Sequence, residues 1–165
     1  MEYIIDGLNV IKTSFIKKYE SVSIESAKKF LIDIIERYKR KHPNVDFTVI
    51  FDGYSTEISF YSKIIKIFYS QDITADEMIR KILERKKNKK EIFVVSDDNE
   101  IKEFTKILGA NQLKVPEFLE IIYPKKNIKM KEKDKEIDYT IKIKIEKELE
   151  KFYGEKTEKD SRKNL

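Results

Sequence analysis

The stretch EYIIDGLN at residues 2–9 decides the fold, because a short apolar run in it ends directly in Asp6. Two further apolar runs end in the same way, residues 47–51 before Asp52 and residues 92–95 before Ser96 and Asp97. The carboxyl ends of parallel strands lie along one edge of an α/β sheet, so these acids are expected to meet there. Carboxylates gathered at one place repel each other unless a cation lies between them. The sequence therefore predicts a divalent-metal site.

Strand-like and helix-like segments alternate from residue 2 to residue 121. Apolar residues recur at helical spacing in residues 24–40, and residues 46–51 form the nearly continuous apolar run of a strand that is covered on both faces. The predicted strands are residues 2–5, 46–51, 64–69, 91–95 and 113–115, and the predicted helices are residues 24–40, one from Thr74, one ending at Gly109 and 116–121. This order predicts an α/β, Rossmann-like fold with a central parallel sheet of about five strands and helices on both faces.

The third of these helices is expected to turn four apolar residues inward: Ile101, Phe104, Ile107 and Leu108. Residues 54–62 fit a loop, a short strand or one helical turn. The composition changes near Pro124, so a first domain of residues 1–123 is predicted to precede an extension of residues 124–165. That extension is expected to contain a charged linker at 124–136, a helix at 137–152 that could pair two copies in a homodimer, and a disordered tail.

The amino-acid composition limits the kinds of metal site that the chain can form. The chain has no cysteine and one histidine, which excludes cysteine-ligated and multi-histidine metal sites. Oxygen ligands alone select hard cations, so Mg²⁺ or Mn²⁺ is the expected cofactor. The net charge of +5 is compatible with a polyanionic partner. No signal peptide and no apolar run of membrane-spanning length is recognised, so a cytoplasmic protein without a membrane partner is expected.

Four more residues are candidates for the site. Gly7 allows a sharp turn after the first strand. The amide of Asn9 can then point at the same site as Asp6 and hold a water or a phosphate oxygen there. The segment Thr74-Ala75-Asp76-Glu77 opens a helix and supplies a further acid, Asp76. Asp98 and Glu100, which follow Asp97, are additional acidic candidates.

Each acid also has an ordinary structural explanation. Thr74 and Glu77 match a helix capping box, and Asp76 suits the positive end of the helix dipole. Asp97 or Asp98 could be the N-cap of the next helix, and Asp52 before Gly53 suits a turn. The combination is more specific, because turn chemistry does not require an aspartate after three separate strands.

Three residues at the same edge are candidates for contacts with RNA: Lys12, Tyr54 and Arg80. The two cations could bind phosphates, and the ring of Tyr54 could stack on a base. Lysine is so common in this chain that some lysines would border any site.

Four motifs together resemble the YacP-like branch of the NYN domain, which belongs to the PIN-like nuclease superfamily. They are IIDGLNVI at 4–11, FDG at 51–53, TADEMI at 74–79 and VVSDDNEI at 94–101. Leu8 replaces the aromatic residue usual in this family, and Asp98 stands where relatives often carry arginine or asparagine.

The resemblance implies a metal-dependent ribonuclease. Its metal-binding carboxylates would be Asp6, Asp52, Asp76 and Asp97, and Asn9 would orient a ligand or water. Some relatives act on messenger RNA in association with ribosomes, which makes the ribosome a candidate partner.

The function expected is therefore an Mg²⁺- or Mn²⁺-dependent endoribonuclease acting on single-stranded RNA. The alternative is a non-catalytic module that binds RNA or the ribosome. An aspartyl phosphatase is disfavoured, because that chemistry needs a second aspartate at the position of Leu8.

Overall fold

Five parallel strands form the central sheet of the computed structural model, which describes residues 1–12, 23–54 and 62–124. In chain order the strands are β1 Glu2–Asp6, β2 Asp46–Phe51, β3 Lys66–Tyr69, β4 Ile92–Val95 and β5 Asn111–Leu113. Their spatial order is β3-β2-β1-β4-β5, so β1 is central. Asp6 pairs with Ile50, and Ile5 pairs with both Val49 and Val95, which brings the ends of the three inner strands to one edge.

Helices cover both faces of the sheet. They are α1 Gly7–Ile11, α2 Ile24–Lys41, α3 Ala75–Arg85, α4 Asn99–Ile107 and α5 Val115–Ile122, and a 3₁₀ turn spans Lys89–Glu91. Alternate residues of a strand point to opposite faces. Ile5 accordingly packs in a cluster with side chains from α1, α2 and α5, whereas Ile4 packs in another with side chains from α3 and α4. The predicted α/β fold with a parallel sheet is confirmed.

Several local predictions need correction. The predicted turn after Gly7 is a short helix, α1, which begins without a loop. The strand predicted at 64–69 begins at Lys66, and the one predicted at 113–115 is Asn111–Leu113, because Val115 already begins α5. Helix α4 does not bury Ile107, whose side chain is 82% exposed.

The reason for the error at Ile107 is helical geometry. Ile101, Phe104 and Thr105 are buried and lie on one stripe of α4, and at 100° per residue position 107 falls outside that stripe. Ile107 is three residues after Phe104, but this spacing alone does not place it on the buried face of α4.

The linker, helix and tail expected after Pro124 lie outside the described residues, as does the proposed homodimer helix. Among the residues that the structure describes, no helix is both long and apolar enough to cross a membrane.

Candidate active site

Asp6 is a buried carboxylate at the edge of the sheet where the strands end, with 7% of its surface exposed. It is both the last residue of β1 and the N-cap of α1. Its Oδ1 accepts a hydrogen bond from the backbone N–H of Asn9 at 3.0 Å, and its Oδ2 accepts one from the Ser96 hydroxyl at 3.3 Å. These two bonds fix the orientation of the carboxylate.

Gly7 allows this close packing. A Cβ at residue 7 would lie 2.4 Å from Cε1 of Phe51 and 3.1 Å from the carbonyl oxygen of Ile50. Only glycine at this position therefore lets α1 follow β1 directly and pack against the end of β2 without displacing the ring of Phe51.

The pKa of Asp6 is raised from 3.8 to about 6. Burial is the largest cause, and the negative charges of Asp76 and Asp98 raise the pKa further, while the hydrogen bonds from Asn9 and Ser96 lower it. A carboxylate perturbed in this way, at the edge where α/β proteins bind ligands, is typical of a functional site.

Asp76, the second residue of α3, lies close enough for its charge to act on Asp6. Burial raises the pKa of Asp76, and so do the charges of Asp98, Glu100 and Asp52, in that order, while Arg80 lowers it. We call Asp6, Asp76, Asp98 and Glu100 the acidic group. Its members are the last residue of β1, an acid in the first turn of α3, and the N-cap and a first-turn acid of α4.

Carboxylates at this edge also bind helix N-termini. Oδ1 of Asp98 accepts from the backbone N–H of Glu100 at 2.7 Å and of Ile101 at 3.4 Å, so Asp98 is the N-cap of α4. Oδ1 of Asp52 accepts from the N–H of Ala75 at 3.0 Å, at the start of α3. Such contacts satisfy N–H groups that have no partner within the helix, and they complement the helix dipole.

Asp97 and Asn9 each accept a hydrogen bond that joins neighbouring segments of the chain. Oδ1 of Asp97 accepts from the backbone N–H of Val115 at 3.0 Å, so the carboxylate lies at the start of α5. The side-chain oxygen of Asn9 accepts from the N–H of Asp97 at 2.9 Å and joins the segments that follow β1 and β4. The charge of Asp98, the next residue, does act on Asp6.

The residues expected to contact RNA lie around this edge. Lys12 is exposed at the end of α1, and Tyr54 is 64% exposed, with its hydroxyl donating to Asp72. The guanidinium of Arg80 lies over the ring of Phe104 at 4.9 Å, where it also acts on Asp76. Arg80 is therefore already stacked within the protein.

The acidic group matches a hard divalent cation in charge and in donor chemistry, because all of its donors are carboxylate oxygens. Within residues 1–12, 23–54 and 62–124, however, no three histidine, aspartate or glutamate side chains are grouped closely enough to hold one ion together. The match thus rests on the donors and on the repulsion between Asp6, Asp76 and Asp98, which a cation would relieve.

Solved structures of one bacterial protein resemble this fold. Rae1 (YacP) from Bacillus subtilis is 20% identical and has a TM-score of 0.61, with 98% of this chain and 87% of that chain covered. A tryptophan-to-leucine mutant of the same protein is 22% identical, also with a TM-score of 0.61, with 74% of each chain covered. A comparison with curated proteins gave no match.

The family model for the YacP-like NYN domain matches residues 3–162, almost the whole chain. This match confirms the resemblance recognised from the four motifs. The chain belongs to the YacP-like NYN domain family, a family of PIN-like, nuclease-type domains.

Proposed function

We propose that this protein is a divalent-metal-dependent endoribonuclease that hydrolyses phosphodiester bonds in single-stranded RNA. The observation that supports this most directly is the buried Asp6, whose pKa is raised to about 6 beside the charges of Asp76 and Asp98. A site that tolerates such repulsion is commonly one that binds a cation.

In this proposal Asp6 and Asp76 hold Mg²⁺ or Mn²⁺, with Asp98 beside them. A divalent ion bound there would neutralise the charge of a phosphodiester and lower the pKa of a water molecule. Asn9 and Ser96 fix the carboxylate of Asp6, so its orientation is set before substrate arrives. Asp52 and Asp97, the other two acids of the motifs, each accept a hydrogen bond from a backbone N–H at the start of a helix.

RNA would approach over the exposed part of this edge. Lys12 offers a cation for a phosphate, and the exposed ring of Tyr54 offers a surface on which a base can stack. Arg80 contributes through its charge near Asp76.

The proposal is tested with a fluorescently labelled single-stranded RNA of mixed sequence. Cleavage is expected in Mg²⁺ or Mn²⁺, is abolished by chelator, and falls at least about 100-fold in Asp6→Asn and Asp76→Asn. Glu103→Gln, an exposed carboxylate on α4, serves as the matched control and retains activity. Cleavage that persists in chelator, or in Asp6→Asn, contradicts the proposal.

Binding without cleavage would favour the alternative of a non-catalytic module for RNA or the ribosome. That binding would survive chelation and weaken steeply with salt, because it would depend on lysine–phosphate contacts.

A further inference from the structure

Asp52 follows β2 and joins three segments of the chain. Its Oδ1 accepts from the hydroxyl of Ser70 at 2.9 Å and from the backbone N–H of Ala75 at 3.0 Å. The hydroxyl of Ser70, a buried residue, in turn accepts from the N–H of Gly53 at 3.0 Å. One carboxylate oxygen thus ties the end of β2 to the end of β3 and to the start of α3.

The contact with Ala75 helps to define where α3 begins. Thr74 and Glu77 form a capping box, in which the Thr74 hydroxyl accepts from the N–H of Glu77 at 3.1 Å and the Glu77 carboxylate accepts from the N–H of Thr74 at 3.3 Å. The N–H of Ala75 is left without an intrahelical partner, and Asp52 satisfies it. Asp76 is the next residue, so the same contact sets the position of an acid of the active site.

The turn between β3 and α3 shows that this connection is held tightly. Gln71 has a φ of 56°, in the left-handed region that non-glycine residues rarely adopt. Its N–H donates to the carbonyl of Gly53 at 2.9 Å, and the N–H of Ser70 donates to the carbonyl of Phe51 at 3.0 Å. The segment after β2 therefore holds the turn through both backbone and side-chain bonds.

We propose that Asp52 is a positioning residue, which acts through Ser70 and the N-terminus of α3 to hold Asp76 beside Asp6, and that it is not itself a metal ligand. This inference rests on the proposed function, in which Asp6 and Asp76 hold the cation. Oδ1 of Asp52 already accepts from Ser70 and from Ala75, the first residue of the helix that carries Asp76.

An asparagine at position 52 distinguishes a positioning residue from a metal ligand. An asparagine at position 52 keeps a side-chain oxygen that can accept from Ser70 and Ala75, and asparagine serves as well as aspartate at helix N-termini. It removes the negative charge through which a carboxylate ligand attracts a divalent cation, and so weakens binding wherever that carboxylate is a ligand. Alanine removes both.

The experiment measures binding of Mn²⁺ alone by calorimetry, together with the thermal midpoint Tm and cleavage of RNA. Asp52→Asn is expected to keep Mn²⁺ affinity and cleavage within about threefold of the wild type. Asp52→Ala is expected to lose about 10- to 100-fold in Mn²⁺ affinity and about 4 °C in Tm. Ser70→Ala, which leaves the charge in place, should change both in the same direction by less. Asp72→Asn removes an equal charge from the same turn and is the control.

A loss of Mn²⁺ affinity in Asp52→Asn as large as in Asp6→Asn and Asp76→Asn, with an unchanged Tm, would overturn the inference and make Asp52 a ligand. A second measurement needs no metal. Hydrogen exchange of the Ala75 amide is expected to be slow in the wild type and in Asp52→Asn but fast in Asp52→Ala, and equal rates in all three would also overturn it. Failure of the wild type to bind Mn²⁺ would instead overturn the proposed function, while Ala75 exchange still tests the role of Asp52.

Discussion

Replacing Asp6 with asparagine is expected to stabilise the metal-free protein at neutral pH while abolishing cleavage. The pKa of Asp6 rises from 3.8 to about 6 on folding, chiefly because of burial. At about 1.4 kcal/mol per pH unit, ionised Asp6 costs the folded protein about 3 kcal/mol. Asparagine is not ionised and keeps an oxygen that can accept from Asn9, so Asp6→Asn avoids this cost.

The sign of the pH dependence follows from linkage. The folded state binds the proton of Asp6 more tightly than the unfolded state, so the contribution of Asp6 to stability is fully present below pH 3.8 and is lost as the pH rises through about 6. The advantage of Asp6→Asn should therefore be near zero at pH 3.5, grow between pH 4 and 6, and reach a plateau of up to about 3 kcal/mol above pH 7.

Urea unfolding with chelator present, at several pH values, measures this difference. A gain of about 3 kcal/mol would move the unfolding midpoint by about 1 to 2 M urea. Glu103→Gln should show no such pH-dependent gain. Adding Mn²⁺ at about 100 times its Kd should then stabilise the wild type by about 2.7 kcal/mol but leave Asp6→Asn unchanged. A variant no more stable than the wild type at pH 7.5, or equally more stable at every pH, would refute the reasoning.

Substitutions at four further positions test the site. Asp76→Asn should lose cleavage yet unfold at higher urea than the wild type near pH 7.5, with the gain shrinking as the pH falls, because burial raises the pKa of Asp76. Gly7→Ala should cost about 1 to 3 kcal/mol in urea unfolding and slow cleavage, since its Cβ would meet the ring of Phe51. Asp98→Ala should lose about 1 kcal/mol of stability as α4 loses its cap, whereas Asp98→Asn should not. Lys12→Ala should weaken RNA binding measured by fluorescence anisotropy and reduce its salt dependence, without changing Mn²⁺ affinity.

The inner strands could be predicted because their signal is local: each is an apolar run that ends in a polar residue. Strand β5 lacks such a run, since it consists of Asn111, Gln112 and Leu113. The Asn111 amide donates to the carbonyl of Lys90 at 2.7 Å, and the Gln112 amide donates to that of Ser96 at 3.0 Å. Hydrogen bonds from side chains to neighbouring backbone thus help to hold the polar strand β5 at the edge of the sheet. No hydrophobic pattern in the sequence predicts such bonds.

The edge on which the acids gather could be predicted from topology, but the choice between Asp97 and Asp98 could not. The two are identical neighbours, and each can cap a helix. The backbone decides between them: the Ser96 hydroxyl accepts from the N–H of Asp98 at 3.1 Å, which starts α4 there, while Asp97 reaches Val115. A motif gives the spacing of residues along the chain. The direction in which each side chain points depends on hydrogen bonds that form only in the folded protein.

Several acids at this edge also accept hydrogen bonds from the N-termini of helices. Replacing one of them with alanine would therefore disturb the fold and the chemistry together. Asparagine separates the two effects, so under the proposed nuclease function Asp6→Asn and Asp76→Asn are the variants of choice for trapping uncut RNA. Such baits, crosslinked in cells and sequenced with their captured strands, would reveal the natural target without first knowing its sequence.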